Sequence, residues 1–128
     1  MVAIMAVVAA GVAVSLPESG QVSLEREAQR LAALLESARA QSRASGVAVY
    51  WHAGGQGFRF EGLPAAAMPE AWLDGDTTAA SGAYIPLGPE PIIGPQRVEL
   101  ASLSQPGRVL RVATDGLGPF TVQRPDSP

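Results

Sequence analysis

The first sixteen residues, MVAIMAVVAAGVAVSL, carry no charge, and the chain then turns polar at Pro17-Glu18-Ser19-Gly20. A helix of this length rises about 24 Å. The hydrocarbon core of a bilayer is about 30 Å thick and needs roughly 20 apolar residues. Three interpretations are open: a cleaved secretory signal peptide, a buried helix of a soluble protein, and a membrane anchor that lacks its first residues.

The surrounding sequence favours the anchor. A signal peptide begins with a basic region, and none precedes Val2, although Ala13-Val14-Ser15 resembles a cleavage site of small residues. A helix that is apolar on all sides needs a large protein to bury it. The residues predicted to contact lipid or neighbouring helices are Val2, Ile4, Met5, Val7, Val8, Val12, Val14 and Leu16.

A second, amphipathic helix is predicted from Ser23 to Gly46. Its apolar residues recur at intervals of four and three, which forms one stripe predicted to pack on a sheet: Leu24, Ala28, Leu31, Leu35 and Ala38. Most charged residues are expected off this stripe: Arg26, Glu27, Arg30, Glu36, Arg39 and Arg43. Ser23 suits the N-cap and Gly46 the stop, while Glu25 and Glu27 suit the start and Arg39 and Arg43 the end.

Beyond Gly46 the pattern changes to the short alternation of β-strands. A first hairpin is predicted from Val47–His52 and Gly57–Glu61 around the turn Ala53–Gln56. Phe58 and Phe60 share one face of its second strand, and Arg59 and Glu61 share the other. The last hairpin pairs Arg108–Thr114 with Pro119–Gln123 around Asp115-Gly116, a strong turn signal, and the tail 124–128 is expected to fray.

The middle of this region is harder to interpret. Residues 63–95 are rich in Pro, Gly and Ala, with short candidate strands at Ala71–Leu73 and Ala83–Leu87, and Arg97–Leu103 alternates as a strand. The chain is therefore predicted to be α+β: a long N-terminal helix, 1–46, with its anchor part at 1–16, followed by a β-rich globular domain, 47–128. The amphipathic half of the helix should supply the apolar face for an antiparallel sheet or sandwich.

Composition excludes several classes of function. The 128 residues carry a formal net charge of −3, and all nine basic residues are arginines. Strong non-specific binding to nucleic acid needs a basic surface, so no nucleic-acid partner is expected. The absence of cysteine excludes disulfides, zinc-thiolate sites and thiol nucleophiles.

Few residues suggest catalysis or ligand binding. His52 is the only histidine. Ser15, Ser19 and Ser23 have no His–Asp partnership for nucleophilic catalysis, so helix capping or solvent exposure is expected of them. Asp74-Gly75-Asp76-Thr77-Thr78 has the oxygen-rich character of a calcium loop, but the further acids of an EF-hand do not follow, so an Asx turn is the preferred interpretation. No metal or other cofactor is predicted.

Two other features have a structural interpretation. The run Gly54-Gly55-Gln56-Gly57 lacks the Lys-Ser/Thr that completes a phosphate-binding loop, so it is predicted to be a hairpin loop. Trp51 and Trp72 are predicted to pack in the core or between sheets rather than at an interface.

Several segments resemble one family. The run MVAIMAVVAAGVAVSL resembles the latter part of the N-terminal segment of type IV pilin-like proteins. The segment LEREAQRLAALLESARAQSRASGVAVYW resembles the helix and first strand of minor pseudopilin H of type II secretion systems. The segments LGPEPIIGPQRVELAS and GRVLRVATDGLGPFTVQ resemble the closing strands of that family. The resemblance is weakest between residues 63 and 84.

One part of the family pattern is missing. In the family, a glycine precedes the cut made by prepilin peptidase, and Phe-Thr-Leu-Ile-Glu follows it. The new N-terminal phenylalanine is then methylated, and the glutamate helps to dock the subunit. This sequence begins inside the apolar run, so none of these processing residues can be assigned in it. We expect the reading frame upstream of Met1 to encode a short basic leader followed by that motif.

The resemblance implies a structural, non-enzymatic role. The chain would be a single-pass protein of the inner membrane of a Gram-negative bacterium, with its globular domain in the periplasm. It would join the pseudopilus, in a tip complex with minor pseudopilins of types I, J and K and next to the major pseudopilin, and so support export of folded proteins across the outer membrane. Its expected contacts are these pseudopilins, inner-membrane lipid and, for the precursor, prepilin peptidase.

Two alternatives remain. A FimT-like minor pilin of type IV pili, involved in pilus assembly or DNA uptake, would have the same plan of helix and sheet. A DNA-binding pilin should carry clustered basic residues near its C-terminus, whereas residues 121–128 contain one arginine and one aspartate. The other alternative is a secreted enzyme or lectin whose leader is cleaved near Leu16.

Overall fold

The computed structural model describes residues 19–54, 57–64, 67–80 and 82–124. Within them the chain forms one helix followed by seven strands, which makes the protein α+β. Helix α1 spans Ser19–Ser45. The strands are β1 (Val49–Gly54), β2 (Gly57–Glu61), β3 (Thr77–Ala79), β4 (Tyr84–Gly88), β5 (Gln96–Ser102), β6 (Gln105–Thr114) and β7 (Thr121–Gln123).

The strands form two antiparallel sheets. The first sheet has the order β2-β1-β4 and the second has the order β3-β5-β6-β7. Helix α1 contacts β1 and β4 of the first sheet and β5, β6 and β7 of the second. One hydrophobic core therefore joins the helix to both sheets, and it includes Trp51, Phe58, Ile85, Leu100 and Val112.

The boundaries of α1 correct part of the sequence-based prediction. The helix already includes Ser19 and Gly20, so the prediction that Ser23 caps its start is wrong. Glycine inside a helix costs only about 1 kcal/mol, whereas proline costs about 3 kcal/mol, so Gly20 does not end the helix. The helix ends as predicted at Gly46, whose φ of 74° suits a glycine and whose N–H donates to the Ser42 carbonyl.

The strand predictions need smaller corrections. Strand β1 extends to Gly54 because its pairing with β2 continues to the Gly54–Gly57 pair. The candidate strand Ala71–Leu73 is only an isolated bridge between Ala71 and Gly57. Strand β3, at Thr77–Ala79, was not predicted, because three residues are too short to show a period. The two predicted hairpins are present, as β1–β2 and β6–β7.

Candidate functional site: the attachment of the helix to the sheets

The apolar stripe of α1 lies in the core. Its five residues are each no more than 1% exposed: Leu24, Ala28, Leu31, Leu35 and Ala38. Full burial of a leucine side chain contributes about 1.5–3 kcal/mol. Since isolated helices are marginal in water, packing of this face supplies most of the stability of α1.

Glu27 attaches the first half of the described helix to a loop before β3. Its side chain is 1% exposed, and its Oε2 accepts hydrogen bonds from the Asp74 backbone N–H at 2.7 Å and from the Thr77 hydroxyl at 3.0 Å. Arg30 lies beside it, with Nη1 3.7 Å from Glu27 Oε1 and 3.0 Å from the Ala71 carbonyl, to which it donates. The carboxylate thus joins α1 to residues about fifty positions further along the chain.

Arg39 makes the corresponding attachment near the other end of the helix. Its side chain is 2% exposed. Nη1 donates to the Gly118 carbonyl at 2.9 Å, and Nη2 donates to the carbonyls of Pro91 at 3.0 Å and Gly116 at 2.8 Å. The planar guanidinium therefore holds two loops against the helix, one before β5 and one between β6 and β7, which suits its fixed fork of donors.

Glu36 also binds a backbone group of the β-region. Its Oε2 accepts a hydrogen bond from the Phe120 backbone N–H at 2.9 Å and lies 3.4 Å from Arg39 Nη1. Phe120 is itself buried next to β7. Four charged side chains of α1 therefore bind backbone groups of the β-region, in addition to the apolar contact: Glu27, Arg30, Glu36 and Arg39.

These attachments correct the expected roles of Glu27 and Arg39. Both were predicted to lie off the apolar stripe and to favour the helix dipole, but both are buried and bind distant backbone groups. Glu27 follows Leu24 by three residues and Arg39 follows Leu35 by four, so the spacing places both on the buried face. This spacing could have predicted their burial from the sequence, but charged residues are ordinarily expected at the surface.

His52 lies away from this attachment, on the outer face of the first sheet. Its Nε2 is 2.8 Å from Glu61 Oε2 on the neighbouring strand. The rings of Tyr50 and Tyr84 stack beside it with centroids 5.3 Å apart. Partial desolvation in this stack, together with Tyr50 and the Glu61 carboxylate, raises the pKa of the Tyr84 phenol.

Asp74 and Asp76 form the turn that precedes β3. Asp74 Oδ1 accepts the Asp76 N–H at 3.0 Å, which is an Asx turn, and the Thr77 N–H donates to the Asp74 carbonyl. Among the residues that the structure describes, no group of three or more His, Cys, Asp or Glu side chains is arranged to hold a metal ion. Trp51 is fully buried, and Trp72 is half-buried with its ring 4.7 Å from that of Phe58.

The residues predicted to contact lipid, from Val2 to Leu16, lie outside the described residues. Among the described helical residues, no helix has the length and hydropathy needed to cross a bilayer. Comparisons of the chain with protein-family models, with curated proteins and with solved structures found no match.

Proposed function

We propose that this chain is a minor pseudopilin of a type II secretion system, of the H type, and acts as a structural subunit of the pseudopilus. The observation that carries the proposal is the combination of an uncharged N-terminal run with a helix that is fixed to the β-region. In such a subunit the apolar run would first hold the chain in the inner membrane and then pack among the helices of other pseudopilins.

The attachment of α1 suits a subunit that assembles through its helix. A filament subunit must keep its globular part in a defined position while the helix packs against neighbours. The apolar stripe packs the described helix against both sheets, and Glu27 and Arg39 fix it at two places along its length. A force applied to the helix would therefore be carried into the β-region by the core and by charged hydrogen bonds rather than by a flexible linker.

The opposite face of the helix suits contact with neighbouring helices. It is exposed at Arg26, Ala33, Ser37 and Ala40. Within the apolar run, Ala6 and Ala10 are small enough for helices to approach closely, which is how helices associate in an apolar medium. The proposed neighbours are the major pseudopilin and the minor pseudopilins of types I, J and K.

Cysteine cross-linking tests this proposal, because these 128 residues contain no cysteine. Ala6→Cys and Ala10→Cys chains would be produced with their native upstream sequence in a bacterium that makes the other pseudopilins, each carrying one cysteine in its own apolar helix. We expect the chain in the inner-membrane fraction and disulfide-linked to at least one pseudopilin. Leu103→Cys, in the exposed turn between β5 and β6, is the matched control and should not form the same product.

Other outcomes would contradict the proposal. Mature protein that begins near Leu16 and is found free in the periplasm would favour a secreted protein with a cleaved leader. Tight binding to DNA in a low-salt gel-shift assay would favour the FimT-like alternative. Membrane-bound chain that forms no cross-link with any pseudopilin would leave only an anchored domain and would refute a role in the pseudopilus.

A further inference from the structure

A cleft of about 430 Å³ lies where the end of the first sheet faces an edge of the second. The end of the β1–β2 hairpin contributes Ala53, Gly54 and Gly57, and strand β3 contributes Thr78 and Ala79. Trp72 also lines the cleft. This volume is within the range of about 300–1,000 Å³ that is typical of binding sites in proteins.

Some backbone N–H and C=O groups of β3 point away from β5. The Ala80 N–H donates to the Glu99 carbonyl, and the Leu103 N–H donates to the Asp76 carbonyl. In an antiparallel pair, alternate residues bond to the partner strand, so the N–H and C=O of Ala79 point to the other side. Strand β3 is an edge strand of the second sheet, and among the described residues no other strand pairs with this side of it.

The open edge retains hydrogen-bonding capacity. The Thr77 N–H already donates to the Asp74 carbonyl. For the Ala79 N–H and for the carbonyls of Thr77 and Ala79, the described residues supply no backbone partner on that side. One donor and two acceptors in a row match the backbone of an extended peptide, which is how a strand is added to a sheet edge.

The lining of the cleft restricts what can enter. None of the described residues that line it is charged, and most are glycine, alanine or threonine. Removing a charged side chain from water without a partner is costly, so an uncharged lining selects against charged segments. The limited volume likewise favours short side chains, while the small residues of the lining allow a second backbone to come close.

We propose that this cleft binds an extended, uncharged peptide segment with small side chains that belongs to another protein. The bound segment would add a strand to the second sheet, next to β3. The N–H of Ala79 would donate to a carbonyl of the peptide, and the carbonyls of Thr77 and Ala79 would accept its N–H groups. This site adjoins the Glu27 attachment of α1, because the Thr77 hydroxyl donates to Glu27 while the Thr77 carbonyl faces the open edge. It does not depend on the proposed role in secretion.

The test uses the full 128-residue chain and the capped peptide acetyl-Ala-Gly-Ser-Gly-Ala-amide as the probe. Hydrogen exchange at the Ala79 amide, measured by NMR, reports on the edge itself. Acrylamide quenching of tryptophan fluorescence reports on Trp72, because Trp51 is fully buried. We expect saturable binding with a Kd on the order of 1 mM or tighter. At saturation, exchange at Ala79 should slow several-fold and quenching should decrease.

Ala79→Pro removes the outward N–H without removing a bond to β5. The matched control is Val122→Pro on β7, the other edge strand of the same sheet. Along β5 and β6, alternate residues bond to opposite neighbouring strands. Following this register from β3 to β7 places the Val122 N–H on the outer side of β7, where it bonds to no strand of the sheet. Position 79 has no amide hydrogen to exchange in Ala79→Pro, so the test in that variant is the fluorescence: the peptide-induced decrease in quenching should be lost. Both expected effects, the slower Ala79 exchange and the decrease in quenching, should be retained in Val122→Pro.

A second probe covers the case in which the proline variant fails to fold. The same peptide with all its backbone amides N-methylated cannot donate to the β3 carbonyls, and we expect it not to bind. The proposal is overturned if neither probe changes Ala79 exchange, or if the methylated peptide binds equally well. Peptide binding that persists in a folded Ala79→Pro chain overturns it too, as does Ala79 protection that arises only when two copies of the chain associate.

Discussion

Replacement of Arg39 by methionine tests whether charged hydrogen bonds fix the helix to the β-region. Methionine keeps much of the apolar volume of the side chain and removes the guanidinium. The change removes donors to the carbonyls of Pro91, Gly116 and Gly118, which are 2.8–3.0 Å away. A hydrogen bond to a charged group contributes roughly 1.5–3 kcal/mol, and a buried acceptor left without a partner costs about 1–3 kcal/mol.

The remaining contacts of the three carbonyls set the expected size of the effect. The Gly116 carbonyl also accepts the Ile93 N–H at 3.4 Å, and the Gly118 carbonyl also accepts the Thr114 hydroxyl at 2.7 Å. Only the Pro91 carbonyl is left without another partner among the described residues. Because two of the three acceptors keep a partner and one is left without, we expect a loss of about 3 kcal/mol in the free energy of unfolding.

Urea unfolding of the two chains, followed by circular dichroism, measures this loss as a lower midpoint at an unchanged m-value. The matched control is Arg43→Met, an exposed arginine one helical turn further on. Surface replacements of this kind usually stay within about 0.5 kcal/mol of the parent. If Arg39→Met were as stable as Arg43→Met, the hydrogen bonds of Arg39 would not stabilise the attachment, and the reasoning would be refuted.

Three further predictions concern other parts of the fold. Gly57→Ala should lower the stability by about 1–3 kcal/mol in urea unfolding, because its new Cβ would meet the Glu70 carbonyl oxygen. Gly54→Ala, whose Cβ would meet no atom within 4 Å, should be nearly neutral, and equal effects at the two sites would contradict this account. Thr77→Val should cost about 1.5 kcal/mol by removing one of the two hydrogen bonds to the buried Glu27 carboxylate; no change in the unfolding midpoint would count against it. The N–H groups of Gly118 and Leu117 bond to the Asp115 carboxylate and lower its pKa below the usual 3.8. The wild-type advantage over Asp115→Ala should therefore be complete above the unfolded pKa and lost as the pH falls through the folded pKa. An NMR titration that placed the Asp115 pKa above 3.8 would refute that prediction.

The sequence pattern predicted those helices, strands and turns that are stabilised by contacts between residues close in the chain. The four-and-three spacing from Leu24 to Ala38 predicted an amphipathic helix, and its stop at Gly46 follows from the freedom of glycine to adopt a positive φ. Alternation around Phe58 and Phe60 predicted strand β2, and Asp115-Gly116 predicted the last turn. In the helix and the strand, the buried residues recur with the period of that element. In the turn, the residues that decide the conformation are neighbours in the chain.

The tertiary structure alone decided which distant groups meet. Strand β3 exists because Thr77–Ala79 pairs with β5 more than twenty residues later, and three residues carry too little pattern to predict that. The same limit applies to the helix charges, since Arg39 finds its acceptors 52 to 79 residues further along the chain. A charged residue in a sequence indicates exposure by default, and it becomes a buried attachment only where folding brings backbone groups within hydrogen-bonding distance. The amino-acid sequence by itself thus determined the helix, its apolar face and the two hairpins, while the packing of the sheets on that face determined the partners of Glu27 and Arg39 and the cleft beside β3.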